Sequence, residues 1–146
     1  MTTEVHIPNL IQDGPLVSAE IFPDVESFLK LKNFGMPESF APVKMLIDTG
    51  SNISGLDQDI IQVLNLPSLD AEDEWVTGEG GTWQVKRYGA VLYMDIFRKK
   101  ALNIEVLSGN YKQAGFHGVL GRDVLRFCNF RYDGINNQFS LSAKGF

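Results

Sequence analysis

The chain has one cysteine in 146 residues, Cys128, and only two histidines, His6 and His117. A single cysteine excludes an intrachain disulfide and any cysteine-rich zinc site, and the apolar neighbours in VLRFCNF make Cys128 a packing residue. Two histidines so far apart leave little material for a zinc site or a Ser-His-Asp triad. Cationic residues are scarce as well. Thirteen Lys and Arg against 18 Asp and Glu give a net charge of −5, and the only basic runs are Lys86-Arg87 and Arg98-Lys99-Lys100. Phosphate binding needs clustered Lys and Arg, so no nucleic-acid partner is expected. No apolar run approaches the ~18 residues of a membrane span, and MTTEVHIPNLIQDG lacks the basic start and apolar centre of a signal peptide. Those absences make no membrane and a cytoplasmic location the expectations. The acidic stretch at 70–74 brings no histidine and no calcium-loop spacing, which reads as an exposed loop. GEGGTW lacks the lysine of a phosphate loop and precedes a β-run where such loops open a helix.

What is present is a globular composition: 44% apolar residues, 21% charged and 14 glycines. The length suits a single domain over 1–146 that can bury a core without metals or disulfides. The pattern is of short β-runs punctuated by turns, with strands expected at 16–22, 43–47, 74–77, 82–97, 101–107, 129–132 and 138–142. The run 82–97 reads as one long strand bent at Gly89. Asp57 is placed to cap a helix in DQDIIQVLNL, and RDVLRF carries a second short helix after Gly121. Residues 1–41 read as an N-terminal strand followed by an insertion in which helix and strand periods fit equally, ahead of a core lobe at 42–142. That segment also raises the expectation of a precursor that trims its own N-terminus.

Residues 44–51 read KMLIDTGS, an apolar strand that runs straight into a carboxylate. A buried ionised carboxylate costs several kcal/mol unless it is paired, hydrogen-bonded or neutralised. Asp48 is therefore either a turn residue at the end of a strand or a group held in place for chemistry. A D-T-G tripeptide arises by chance in roughly 0.03 of chains this long. The order carries more information: IDTGS at 47–51, TGEGGTWQVKRY at 77–88 and GVLGRDVL at 118–125.

That order resembles the retropepsins, the single-lobe aspartic proteases of retroviruses and their cellular and bacterial relatives. The resemblance covers about residues 43–142. It implies an all-β closed barrel lobe with one or two short helices that forms a homodimer, acts on a peptide or protein substrate, and needs no cofactor and no metal. It makes Asp48 catalytic, with Thr49, Gly50 and Ser51 in support. It makes Thr77, Gly78, Glu79, Gly80 and Gly81 the flap, with Asn52 beside the substrate, and gives Arg122 and Asp123 a structural role. Strands near 3–7 and 138–142 are implied for an intersubunit sheet.

The chemistry explains the residue types. Peptide hydrolysis without a metal or covalent intermediate needs a base to activate water and an acid to protonate the amide, and two adjacent carboxylates sharing a proton supply both. At about 3 Å and an effective dielectric near 20 they repel by about 5 kcal/mol, so one retains a proton. One D-T-G supplies one carboxylate, and a twofold axis would bring its copy. Ser51 stands where viral members carry alanine; a hydroxyl donating to the carboxylate implies an acid-shifted optimum. Asn52 stands where many carry an acid, which weakens its pairing with Arg122. The alternative function is a catalytically weak module of the same fold that binds peptides or dimerises.

Overall fold

A computed structural model describes residues 2–6, 9–36, 39–69, 74–78 and 81–143. In chain order the elements are β1 (Thr2–His6), α1 (Leu10–Asp13), β2 (Leu16–Phe22), α2 (Val25–Phe34), β3 (Ala41–Ile47), β4 (Gly55–Asp57), α3 (Gln58–Leu64), β5 (Glu74–Gly78), β6 (Gly81–Val85), β7 (Arg87–Tyr93), β8 (Leu102–Gly109), β9 (Gly118–Leu120), α4 (Arg122–Leu125), β10 (Cys128–Asp133) and β11 (Gln138–Ala143). No helix among the described residues is long and apolar enough to cross a membrane.

Six strands close a barrel in the order β2-β3-β9-β4-β8-β7. Alternation drives it: Val17, Ala19 and Ile21 of β2 and Val43, Met45 and Ile47 of β3 point inward, with polar residues such as Ser18 and Lys44 between them. Phe22, Met45, Leu56, Leu92, Phe97 and Leu120 are nearly or wholly shielded at its centre. The expected all-β barrel lobe is thus present. The barrel takes β2 from the N-terminal segment, so removing residues 1–41 would open it. α2 covers one side with Phe28 inward; Asp24 caps it by accepting the Ser27 amide at 2.7 Å, and Gly35 ends it in the left-handed region.

The long strand expected over 82–97 is two strands and a turn, and the break falls at Lys86 rather than Gly89. The cause is a change of partner. β6 pairs with β5 outside the barrel, whereas β7 pairs with β8 inside it. Gly89 lies within regular β7, where its amide donates to the Pro67 carbonyl at 2.9 Å and a Cβ would sit 3.5 Å from the Pro67 ring.

A three-stranded sheet, β1-β11-β10, packs against the barrel through the turn Asp95–Phe97, with Phe139 and Leu141 buried. The two segments expected in an intersubunit sheet, 3–7 and 138–142, pair with each other within the chain. Val5 faces Ser140 and His6 faces Phe139 in the same chain, and β11 also pairs along its other edge with β10. Both edges of β11 are therefore occupied, so no partner strand can add to it; Ile7 lies outside the described residues.

Candidate active site

Asp48 closes β3, and the local topology fixes where it stands. β9 lies between β3 and β4, parallel to the first and antiparallel to the second, so the loop from Asp48 to Ser54 must pass over the end of β9. The Asp48 amide donates to the Leu120 carbonyl at 2.9 Å, and the Ser51 amide to the Asp48 carbonyl at 3.2 Å. The half-buried carboxylate accepts the Gly50 amide on Oδ1 at 3.0 Å. A Cβ on Gly50 would lie 3.2 Å from that oxygen, so a side chain there would displace the carboxylate by a few tenths of an ångström. The second oxygen, Oδ2, takes no hydrogen bond among the described residues. Thr49, Gly50 and Asn52 are exposed.

The foot of the loop is fastened by β9 and α4. Arg122 donates its amide to the Ser51 carbonyl and its Nη1 to the Thr49 carbonyl, both at 2.8 Å. The Asp123 carboxylate accepts the Ser54 hydroxyl at 2.8 Å and the Ser54 amide at 3.2 Å, and the same hydroxyl accepts the Gly121 amide at 3.0 Å. Ser54 is fully buried, so each of these bonds replaces one that water cannot make. Gly121 admits no side chain: a Cβ would lie 2.8–2.9 Å from backbone atoms of Ile53 and Ser51.

Two details differ from the sequence reading. The Ser51 hydroxyl donates to the Ile53 carbonyl at 2.6 Å and not to the Asp48 carboxylate, so it supplies no acid shift by that route. Arg122 engages the Thr49 carbonyl, and no hydrogen bond joins it to Asn52 among the described residues.

The hairpin β5–β6 pairs Thr77 with Thr82 and Gly78 with Gly81; the two threonine hydroxyls lie 3.0 Å apart, and Gly81 has φ +101°. Glu79 and Gly80 lie outside the described residues. At the hairpin base Val85 joins Ser51, Ile53, Gly55, Leu107 and Tyr111 around a cavity of about 330 Å³. A somewhat larger cavity, about 380 Å³ between Pro23, Pro67, Leu69 and Asn103, includes no residue of the Asp48 loop.

Asp57, Ile53, Ser54 and Tyr111 were not singled out for this site by sequence. Asp57 caps α3 through the Asp59 amide at 2.9 Å, but its Oδ2 also accepts the amides of Tyr111 and Lys112 at 2.9 and 2.8 Å. Burial disfavours its charge, yet these three amides and the nearby Lys112 ammonium hold its pKa below the ordinary value. Burial and then the charges of Asp48 and Asp57 push the Tyr111 phenol up, so it stays protonated. No cluster of three or more metal-ligating side chains forms among the described residues.

No protein-family model and no curated protein sequence matches the chain. Solved structures do. The EIAV protease in complex with the inhibitor HBY-793 superposes with a TM-score of 0.51 at 17% identity, covering 77% of this chain and 85% of that one. The simian foamy virus (mac) protease gives 0.47 at 15% identity over 77% and 93%. A retropepsin-like aspartic protease from Rickettsia conorii gives 0.47 at 18% identity over 97% and 94%. The barrel, the strand that ends in Asp48-Thr49-Gly50 and the likeness to the EIAV enzyme together give this chain the retropepsin-like aspartic protease fold.

Proposed function

We propose that the chain is an aspartic endopeptidase working as a homodimer, with Asp48 of each protomer forming the catalytic pair. The observation that carries this is the Asp48 carboxylate itself: half-buried, oriented by the Gly50 amide through one oxygen, and left with its other oxygen open on an exposed loop. A lone turn aspartate needs no such foot as Arg122, Ser54 and Asp123 provide. Across a twofold axis two such groups share one proton. The ionised member removes a proton from water, whose oxygen attacks the scissile carbonyl. The protonated member then passes its proton to the amide nitrogen as the C–N bond breaks. An extended peptide bound by added backbone hydrogen bonds, under the β5–β6 hairpin, would place a side chain in the cavity at the hairpin base.

The test is to incubate the purified protein with an unfolded protein substrate from pH 3 to 8, beside Asp48→Asn, with sedimentation at several concentrations. Cleavage by the wild type alone, in step with dimer formation, is the expected result. Peptide binding without cleavage at any pH would replace the enzyme by a binding module of the same fold. A strict monomer that still cleaves would remove the dyad.

A further inference from the structure

Tyr111 is held in an unusual way for a loop residue. Its amide and that of Lys112 are fixed by the Asp57 carboxylate, and Lys112 Nζ reaches Asp59 at 2.7 Å, a second clamp on the same turn. Its ring lies across two glycines on the paired strands β4 and β8. A Cβ on Gly55 would collide with the Tyr111 hydroxyl, and one on Gly109 would lie 2.7 Å from Cε2. Both glycines are therefore the floor on which the ring rests, and Phe116 flanks it with ring centroids 5.9 Å apart. Tyr111 thus lines the cavity beside the Asp48 loop together with Ile53, Val85 and Leu107. Its hydroxyl takes no hydrogen bond among the described residues, although the side chain is more than half covered.

We propose that Tyr111 is a specificity-determining residue of this site, its phenol hydroxyl hydrogen-bonding a carboxamide side chain, Gln or Asn, of the bound peptide in the cavity beside Asp48. This rests on reading the Asp48 loop as a peptide-binding and peptide-cleaving site. The apolar side chains of the cavity accept the methylenes of such a side chain, and the hydroxyl, set against Gly55 of the lining, offers a donor to its carbonyl oxygen. A Met or Leu of similar size fills the same space but leaves the hydroxyl unpaired and stripped of water, the situation in which a polar site rejects an apolar analogue. An anionic Glu or Asp would face the charges of Asp48 and Asp57, both of which act on the phenol. Because two glycines and the Asp57 carboxylate fix the ring, the hydroxyl is positioned before substrate arrives.

The experiment is digestion of a defined peptide library, made by cutting a denatured proteome with trypsin, by the wild type and by Tyr111→Phe, with cut sites read by mass spectrometry. Tyr111→Phe removes only the hydroxyl, and matching melting curves verify its fold. The wild type is expected to favour Gln and Asn over Met and Leu at one position near the cut. The variant should lose that preference by about tenfold, the worth of one buried hydrogen bond, through slower cleavage of Gln and Asn peptides and faster cleavage of Met and Leu peptides, with the preferences at other positions kept. Identical profiles overturn the assignment while leaving the protease reading intact. If the wild type cleaves nothing, that reading falls, and the same library retained on the two immobilised proteins decides Tyr111 alone. A Gln and Asn enrichment lost in Tyr111→Phe keeps it, and no difference overturns it.

Discussion

Asp57→Asn separates a structural carboxylate from the one proposed for catalysis. Asp57 is almost fully shielded and accepts three amides, one on Oδ1 from Asp59 and two on Oδ2 from Tyr111 and Lys112. Asparagine offers one acceptor oxygen, so either the α3 cap or the pair at the 111–112 turn loses its partner and meets an amide hydrogen instead. Bonds to an ionised acceptor contribute about 1.5–3 kcal/mol each, which puts the loss at about 3 kcal/mol at pH 7. That is a large share of the about 5–15 kcal/mol that holds a domain. The pH dependence follows from the sign of the shift. The folded pKa lies below the ordinary 3.8, so the carboxylate's contribution is fully present above 3.8 and is lost as pH falls through the folded value. Urea unfolding of wild type and variant at fixed protein concentration, at pH 7 and again at pH 2.5, should show a wide gap that narrows in acid. A gap below about 1 kcal/mol at pH 7, or one of equal size at both pH values, would refute the assignment of a charged acceptor at this site.

Gly121→Ala should destabilise by about 1–3 kcal/mol, because the atoms in its way are backbone and cannot rotate aside; thermal unfolding reads this, and an unchanged Tm contradicts the packing. Ser51→Ala should leave the acidic limb of the pH–rate profile where it is, since the hydroxyl donates to the Ile53 carbonyl, and should cost about 1 kcal/mol of stability. A displaced acidic limb would show instead that the hydroxyl serves the carboxylate in the proposed dimer. Thr49→Val should leave unfolding at low protein concentration within about 0.5 kcal/mol of wild type, because Thr49 is exposed in the single chain. The same variant should raise the dimer dissociation constant measured by sedimentation, and equal dissociation constants would place Thr49 away from the axis.

The strands were legible wherever one face is buried. β2 was read with both ends as observed, and β3, β8, β10 and β11 to within two residues, because alternation shows directly in the residue order. β4 and β9 are three residues each, too short to show any period, and they are buried on all sides. The break at Lys86 depends on which strand pairs with which, a long-range fact. α2 is different, since a signal was there: Asp24 and Gly35 sit at the two ends of the ambiguous stretch, and weighing caps above periodicity would have resolved it. At the candidate site, the motifs located the Asp48 loop and the Arg122-Asp123 foot. Nothing in SGNYKQAG announces Tyr111, because its place is set by glycines at 55 and 109 that meet only in the folded barrel.

The candidate site divides into a part the single chain completes and a part it does not. Every polar contact at the foot, from Ser54, Gly121, Arg122 and Asp123, is satisfied within one protomer. The tip is the reverse: Thr49, Gly50 and Asn52 are exposed, and one carboxylate oxygen of Asp48 takes no hydrogen bond among the described residues. A loop whose base is over-determined and whose tip is bare can bring a carboxylate against its copy without having to reorganise, which is how electrostatic preorganisation lowers a barrier. β11 is closed off on both edges, so association that brings the tips together cannot rest on that strand. Among the described residues the outer edges of β1 and β10 pair with no strand, and in the proposed dimer the exposed residues of the Asp48 loop would supply the other contact. In the proposed dimer, folding of the lobe and assembly of the site would be separable events, governed by different residues of the same loop.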